Sequence, residues 1–311
     1  MFALPDKTKQ FLTAAVKLFI IGLAFYFIWS RLSGGQWQFF TETLRQHFSW
    51  PIVFMLVVLA FLNRFLEILK WQNLVSCFTS ITVGESTKQV LGALTASVFT
   101  PNGIGEYGAK ALYFEPKRAR KIVFLNLLCN GAQMLITVVL GVAGLLYFNF
   151  RFGILGTRVI FTILVGVGVI AVLAYAFRSF TVKGYSFEKA LQKMHDIPKK
   201  IHRKNLLLAL CRYACFSHQY FLILLMFDTG LSYPIAMATI CSVYFLSSSL
   251  PTFQFLDFAV KGGVAVYFFG LLGVNDFIPL FATTLIWLLN VVLPVSVGSY
   301  YVITFKPVWK Q

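Results

Sequence analysis

The chain has 311 residues, of which 58% are hydrophobic, 17% aromatic and only 12% charged, and its formal net charge is +16. Soluble domains carry about twice that charged fraction. Several apolar runs of about 18 or more residues indicate an all-α polytopic membrane protein, and the lack of alternating strand-length segments argues against a β-barrel.

In chain order, residues 1–150 present a span over 11–29, a second over 51–69, a proline-centred hairpin over 86–116 and a third span over 122–148. The first run is too long for a signal-peptide h-region, so it is expected to remain as an anchor. The two pieces of the hairpin are each too short to cross about 30 Å of hydrocarbon, which predicts a re-entrant helix pair. Residues 151–311 repeat the order: spans over 158–177 and 206–227, a proline-centred region over 232–273, and a span over 277–303. The pieces of 232–273 are longer and fit either a re-entrant hairpin or two full spans.

Three spans per half turn the second half upside down, an inverted 3+3 repeat of the kind many transporters use. Both hairpins carry an acid after the proline and a lysine four residues later: Glu106 and Lys110 after Pro101, Asp257 and Lys261 after Pro251. Ser97 and Ser247 each stand four residues before the proline. Between its first two spans each half has an amphipathic stretch suited to a membrane interface, Trp37, Phe40, Leu44 and Phe48 in one, Phe187, Leu191, Met194, Ile197 and Ile201 in the other. With the N-terminus inside, the outer loops hold only Arg31, Arg45, Arg151 and Arg158. Clusters such as 117–121 and 183–204 fall inside. Both termini are therefore expected to be cytoplasmic, in the cell (inner) membrane, and the positive charge needs no nucleic-acid partner.

The candidate chemistry lies at the helix breaks. Pro101 disfavours helix at Thr100, and Gly103, Gly105 and Gly108 permit close backbone approach. A helix starting near Ile104 would turn free N–H groups toward an anion, with Asn102 and Glu106 beside it. The alternative is a plain hairpin tip. Glu106–Lys110 and Asp257–Lys261 are either functional or mutually neutralising struts. Arg64 and Arg212 can grip a phosphate between them. Otherwise they snorkel to the interface, with Arg64 pairing Glu67. Asn126, Asn130 and Gln133 share one face of the third span and either line a polar pathway or join helices. His218 reads as hydrogen-bonded structure. The five cysteines read as packing residues, and no cofactor or metal site is expected. No H-E-x-x-H, P-loop or G-x-S-x-G occurs, so no enzyme is indicated.

The chain resembles the lysylphosphatidylglycerol synthase transmembrane (flippase-like) family over about residues 10–305. The resemblance rests on "TPNGIGEYGAK", "NRFLEILKW" and "LPTFQFLDFAVKGG". It implies movement of an anionic or modified phospholipid between leaflets, with Pro101, Gly103, Gly105 and Glu106 matching the first motif. Pro251 and Asp257 match the second in part, because Phe253, Gln254 and Phe255 stand where relatives usually have glycines. The soluble aminoacyl-transferase domain of the full-length synthases is absent from this sequence. Membrane lipids are the expected partners, alongside a homo-oligomer or a lipid-modifying enzyme. The alternative reading is a membrane enzyme, or its accessory subunit, acting on a polyprenyl-phosphate type of substrate.

Overall fold

Pro51 sits in the first turn of the first long helix, where its missing N–H costs nothing and its fixed φ suits a helix start. This helix, α1, runs Trp50–Val75. The computed structural model describes residues 41–42, 45–153, 156, 187–250 and 252–305. The expected spans 11–29 and 158–177, with Trp37, Phe40, Leu44 and Pro251, lie outside the described residues.

The remaining elements follow in order: α2 (Val83–Ser97), α3 (Gly105–Ala111), a 3-10 turn, α4 (Ala119–Phe152), α5 (Phe187–His195), α6 (Lys199–Met226), α7 (Tyr233–Ser249), a second 3-10 turn, α8 (Asp257–Gly270), α9 (Phe277–Trp287), a π-helical turn (Leu288–Val292) and α10 (Leu293–Ile303). Among the described residues all regular structure is helical apart from one isolated bridge between Pro101 and Phe253. Among the described residues, four stretches are long and apolar enough to cross a membrane: Trp50–Val75, Pro116–Phe152, Lys199–Met226 and Phe277–Ile303. They coincide with four of the six expected spans.

Local chemistry sets the boundaries. At α2 the Thr82 hydroxyl accepts from the Glu85 N–H, and the Glu85 carboxylate accepts from the Thr82 N–H in return. The Thr82 N–H holds the Glu85 carboxyl below its ordinary range. Gly153 closes α4 in the left-handed region, its N–H donating to the Asn149 carbonyl. Pro198 separates α5 from α6, so the expected amphipathic stretch is two helices. Ile197 between them is buried in an apolar cluster with Ile201, while Leu191 and Met194 stay exposed.

The long helices share one design. On α1, Leu56 belongs to one apolar cluster and Ile68, Trp71, Leu74 and Val75 to another. On α4, Phe148 belongs to the first cluster, and Ile122, Leu125 and Cys129 to the second. Between these anchors the two helices carry Asn63, Arg64 and Glu67, and Asn130, Gln133 and Thr137. A polar belt therefore separates two hydrophobic masses, while Phe54, Phe61, Phe150 and Ile303 face outward as a lipid-facing surface requires.

The two hairpins exchange partners. The first limb of one, α2, packs on α10, where the Thr95 hydroxyl donates to the Val295 carbonyl and Gly298 admits Leu91. The first limb of the other, α7, packs on α4. There a Cβ on Gly144 would meet the Ala238 carbonyl oxygen at 2.7 Å, so only glycine allows this approach. Each second limb, α3 or α8, returns to the long helix that follows it, α4 or α9.

Candidate head-group cavity

The tips of the hairpins meet. The Asn102 N–H donates to the Thr252 carbonyl at 2.8 Å, and the Thr252 N–H donates back to the Asn102 carboxamide oxygen at 2.9 Å. Asn102 (φ 49°) and Gly103 (φ 65°) are both left-handed here. The Phe99 and Phe255 rings lie 5.5 Å apart, and the Ser97 hydroxyl donates to the Gln254 carboxamide oxygen. The first hairpin's limbs are 15 and 7 residues, and the second's are 17 and 14.

One expectation fails at this tip. The N–H groups at the start of α3 are not free for an anion. The Gly105 N–H donates to the Thr100 hydroxyl at 2.9 Å, and those of Ile104, Glu106 and Tyr107 donate to the carbonyls of Pro101, Gly103 and Ile104. The turn that Pro101 and the glycines create folds tightly enough to satisfy its own donors. Any anion here must be held by side chains.

Between the tips and the polar belt lies a half-open cavity of about 480 Å³. Glu67 is the hub of its floor. Its carboxylate lies 2.9 Å from the Arg212 guanidinium and 3.1 Å from the Lys70 ammonium. Arg212 also donates to the carboxamide oxygens of Asn63 and Gln133. Lys70 is fully buried. Glu67 therefore pairs with Arg212 and Lys70, and the alternative reading that paired it with Arg64 is not what the packing makes.

Arg64 is the exception in this network. It donates to the Asn290 backbone carbonyl at 2.5 Å, and its Nε is buried with no partner. That carbonyl is available for a local reason. Pro294 stands four residues on and has no N–H to offer it, and the helix widens to a π turn over Leu288–Val292. The Asn290 side chain accepts from Asn63 and donates to Gln219. Asn290 and Gln219 thus join the last span to α1 and α6. The sequence signal was an asparagine four residues before an in-span proline, and our reading of the sequence did not use it.

Of the expected site residues, Arg64, Arg212, Asn102, Gly103, Glu106, Asp257, Lys261, Asn130 and Gln133 line this one cavity. Pro101, Gly105, Lys110 and Asn126 do not. Lys110 is fully buried, 2.6 Å from Glu106, donates to Asn126 at 2.7 Å and lies 4.3 Å from the Trp71 ring centre. It is a strut that neutralises Glu106 from behind the wall. Asp257 and Lys261 pair in the same way but remain partly exposed. Gly108 sits on the same short helix with open space beside it. His218 is bonded to Tyr233 and the Ala214 carbonyl. Residues unforeseen by sequence reasoning complete the lining, chiefly Tyr107, Phe216, Tyr244, Gln254, Trp287 and Asn290. Among the described residues, no group of three or more His, Cys, Asp or Glu is placed to hold a metal ion.

Compared with known proteins, the chain matches no family model, no curated protein and no solved structure.

Proposed function

We propose that this protein moves an anionic or modified phospholipid between leaflets of the cell (inner) membrane, in which it is multi-pass with both termini cytoplasmic. The observation that carries the reading is Arg64. It is a guanidinium with no carboxylate in salt-bridge contact among the described residues, Glu67 and Glu106 acting on it only at longer range, and it lines a polar cavity between two meeting hairpin tips. A charge inside a membrane protein is costly unless paired, so an unpaired one favours an anionic ligand. A lipid phosphate would complete Arg64, and its acyl chains would stay in the bilayer.

The exchanged hairpins support an inverted 3+3 repeat. α2 stands to α10 as α7 stands to α4, and α3 to α4 as α8 to α9. In such a repeat the hairpins would enter from opposite faces, and rocking of one half against the other would carry a mid-membrane site from side to side.

The test is leaflet exchange of fluorescent phosphatidylglycerol in proteoliposomes, read by dithionite quenching. Arg64→Gln is expected to slow exchange by about tenfold to hundredfold, the worth of one charge-assisted hydrogen bond. Wild-type rates in a folded Arg64→Gln protein overturn the assignment.

A further inference from the structure

The unused hydrogen-bonding groups around the cavity describe more than an anion. Three donors point to a phosphate. The Arg64 Nε–H has no partner among the described residues, and Asn102 and Gln254 use their carboxamide oxygens within the tip, which leaves their amide groups, neither of them buried, to water or a ligand. Three acceptors point elsewhere. The second oxygens of Glu106 and Asp257 and the side-chain oxygen of Asn130 have no donor among the described residues. A phosphodiester has only acceptors and cannot satisfy them. A ligand that takes the place of water on them brings O–H or N–H groups of its own.

Charge decides between hydroxyl and ammonium. Glu106 is already neutralised by Lys110, and Asp257 by Lys261. An ammonium approaching either carboxylate would meet a lysine beside it, and the cavity already holds Arg64, which has no carboxylate in salt-bridge contact among the described residues. Hydroxyls carry no such penalty and match acceptors that are polar but locally neutral. The same cavity presents the rings of Tyr107, Phe216, Tyr244 and Trp287. Aromatic faces beside hydrogen-bonding carboxamides suit a ring with C–H faces and hydroxyl edges.

We propose that the ligand is a polyhydroxylated ring joined to a phosphate, such as an inositol or sugar-phosphate lipid head group, with the phosphate on Arg64 and the hydroxyls on Asn130, Glu106 and Asp257. This deepens the lipid reading and rests on it for the source of the head group.

The experiment is binding to the purified full-length protein in detergent, measured by thermophoresis. The probes are dioctanoyl phosphatidylinositol, dioctanoyl phosphatidic acid, dioctanoyl phosphatidylethanolamine and free inositol 1-phosphate. Phosphatidylinositol is expected to bind about tenfold or more tighter than phosphatidic acid, the worth of one or two added hydrogen bonds. Phosphatidylethanolamine is expected to be weakest. Asn130→Leu narrows the preference for phosphatidylinositol and leaves phosphatidic acid unchanged, whereas Arg64→Gln weakens both alike. The comparison among lipids on the wild-type chain does not depend on any variant folding. Equal binding of phosphatidylinositol and phosphatidic acid overturns the polyol assignment while leaving the anionic-lipid reading standing. Tightest binding of phosphatidylethanolamine overturns it in favour of an ammonium ligand. Inositol 1-phosphate binding as tightly as its lipid supports the head-group chemistry and overturns the lipid source.

Discussion

Replacing Glu67 by Gln removes the single negative charge that holds two cations in the floor of the cavity. Its carboxylate lies 2.9 Å from Arg212 and 3.1 Å from Lys70, with side-chain exposures of 5% for Glu67 and 0% for Lys70. Breaking a buried pair from one side leaves an uncompensated charge in a medium that solvates it poorly, a loss of about 3–5 kcal/mol. For a chain of this size that is a fall in melting temperature of about 6–15 °C. The Asp257–Lys261 pair is the internal control, because its side chains are 21% and 30% exposed. Asp257→Asn should cost about 1 kcal/mol or less and shift melting by no more than about 3 °C. The assay is thermal unfolding in mild detergent, followed by the fraction remaining monodisperse on size-exclusion chromatography. Adding Lys70→Met to Glu67→Gln should recover part of the loss, since the stranded ammonium is then gone. Equal melting shifts for Glu67→Gln and Asp257→Asn refute the reasoning, because burial would then not be what sets the cost.

Three further outcomes follow from the geometry. Gly144→Ala puts a Cβ 2.7 Å from the Ala238 carbonyl oxygen and should destabilise by about 1–3 kcal/mol, read in the same melting assay. Beside the Pro101–Phe253 bridge the Asn102 N–H donates to the Thr252 carbonyl at 2.8 Å, which brings these two backbones within reach of a disulfide. With the native cysteines replaced, Asn102→Cys with Thr252→Cys should halt leaflet exchange on oxidation and restore it on reduction. Exchange that continues in the cross-linked protein shows that the tips need not part. Glu85 titrates below its ordinary value of 4.5 because the Thr82 N–H donates to its carboxylate. Its folded pKa is depressed, so the cap's contribution is full above that value and is lost as the pH falls through the lower, folded one. Glu85 is almost fully exposed, so solvent screening keeps this contribution well under about 1 kcal/mol. Hydrogen exchange at the start of α2, corrected for intrinsic rate, should rise slightly at acid pH in the wild type and stay flat in Glu85→Gln.

The pairs at four-residue spacing were legible because helical periodicity alone brings such side chains together. Glu106 with Lys110 and Asp257 with Lys261 meet as that spacing requires. The partners of Glu67 were not legible. Residue 64 is three positions from it and Arg212 is on another helix, yet Arg212 takes the carboxylate, because α1 packs along α6. Lys110 shows the converse error. Its charge and its place in the motif suggested a ligand contact, but the α3–α4 packing turns it onto Asn126 and Trp71, away from the cavity.

Composition and hydropathy by themselves pointed to long apolar helices, which is what the described residues form, because a backbone that meets hydrocarbon must satisfy its own polar groups. Proline and glycine positions determined where two of the helices break. The meeting of the broken ends was decided by tertiary structure alone. The bridge between Pro101 and Phe253 joins segments about 150 residues apart, and no local propensity encodes that pairing. The role of Arg64 was decided there too. Whether an arginine in a span is neutralised depends on which carboxylates the packing brings within reach. Here Arg212 and Lys70 hold Glu67, and Arg64 is left to the carbonyl that Pro294 released.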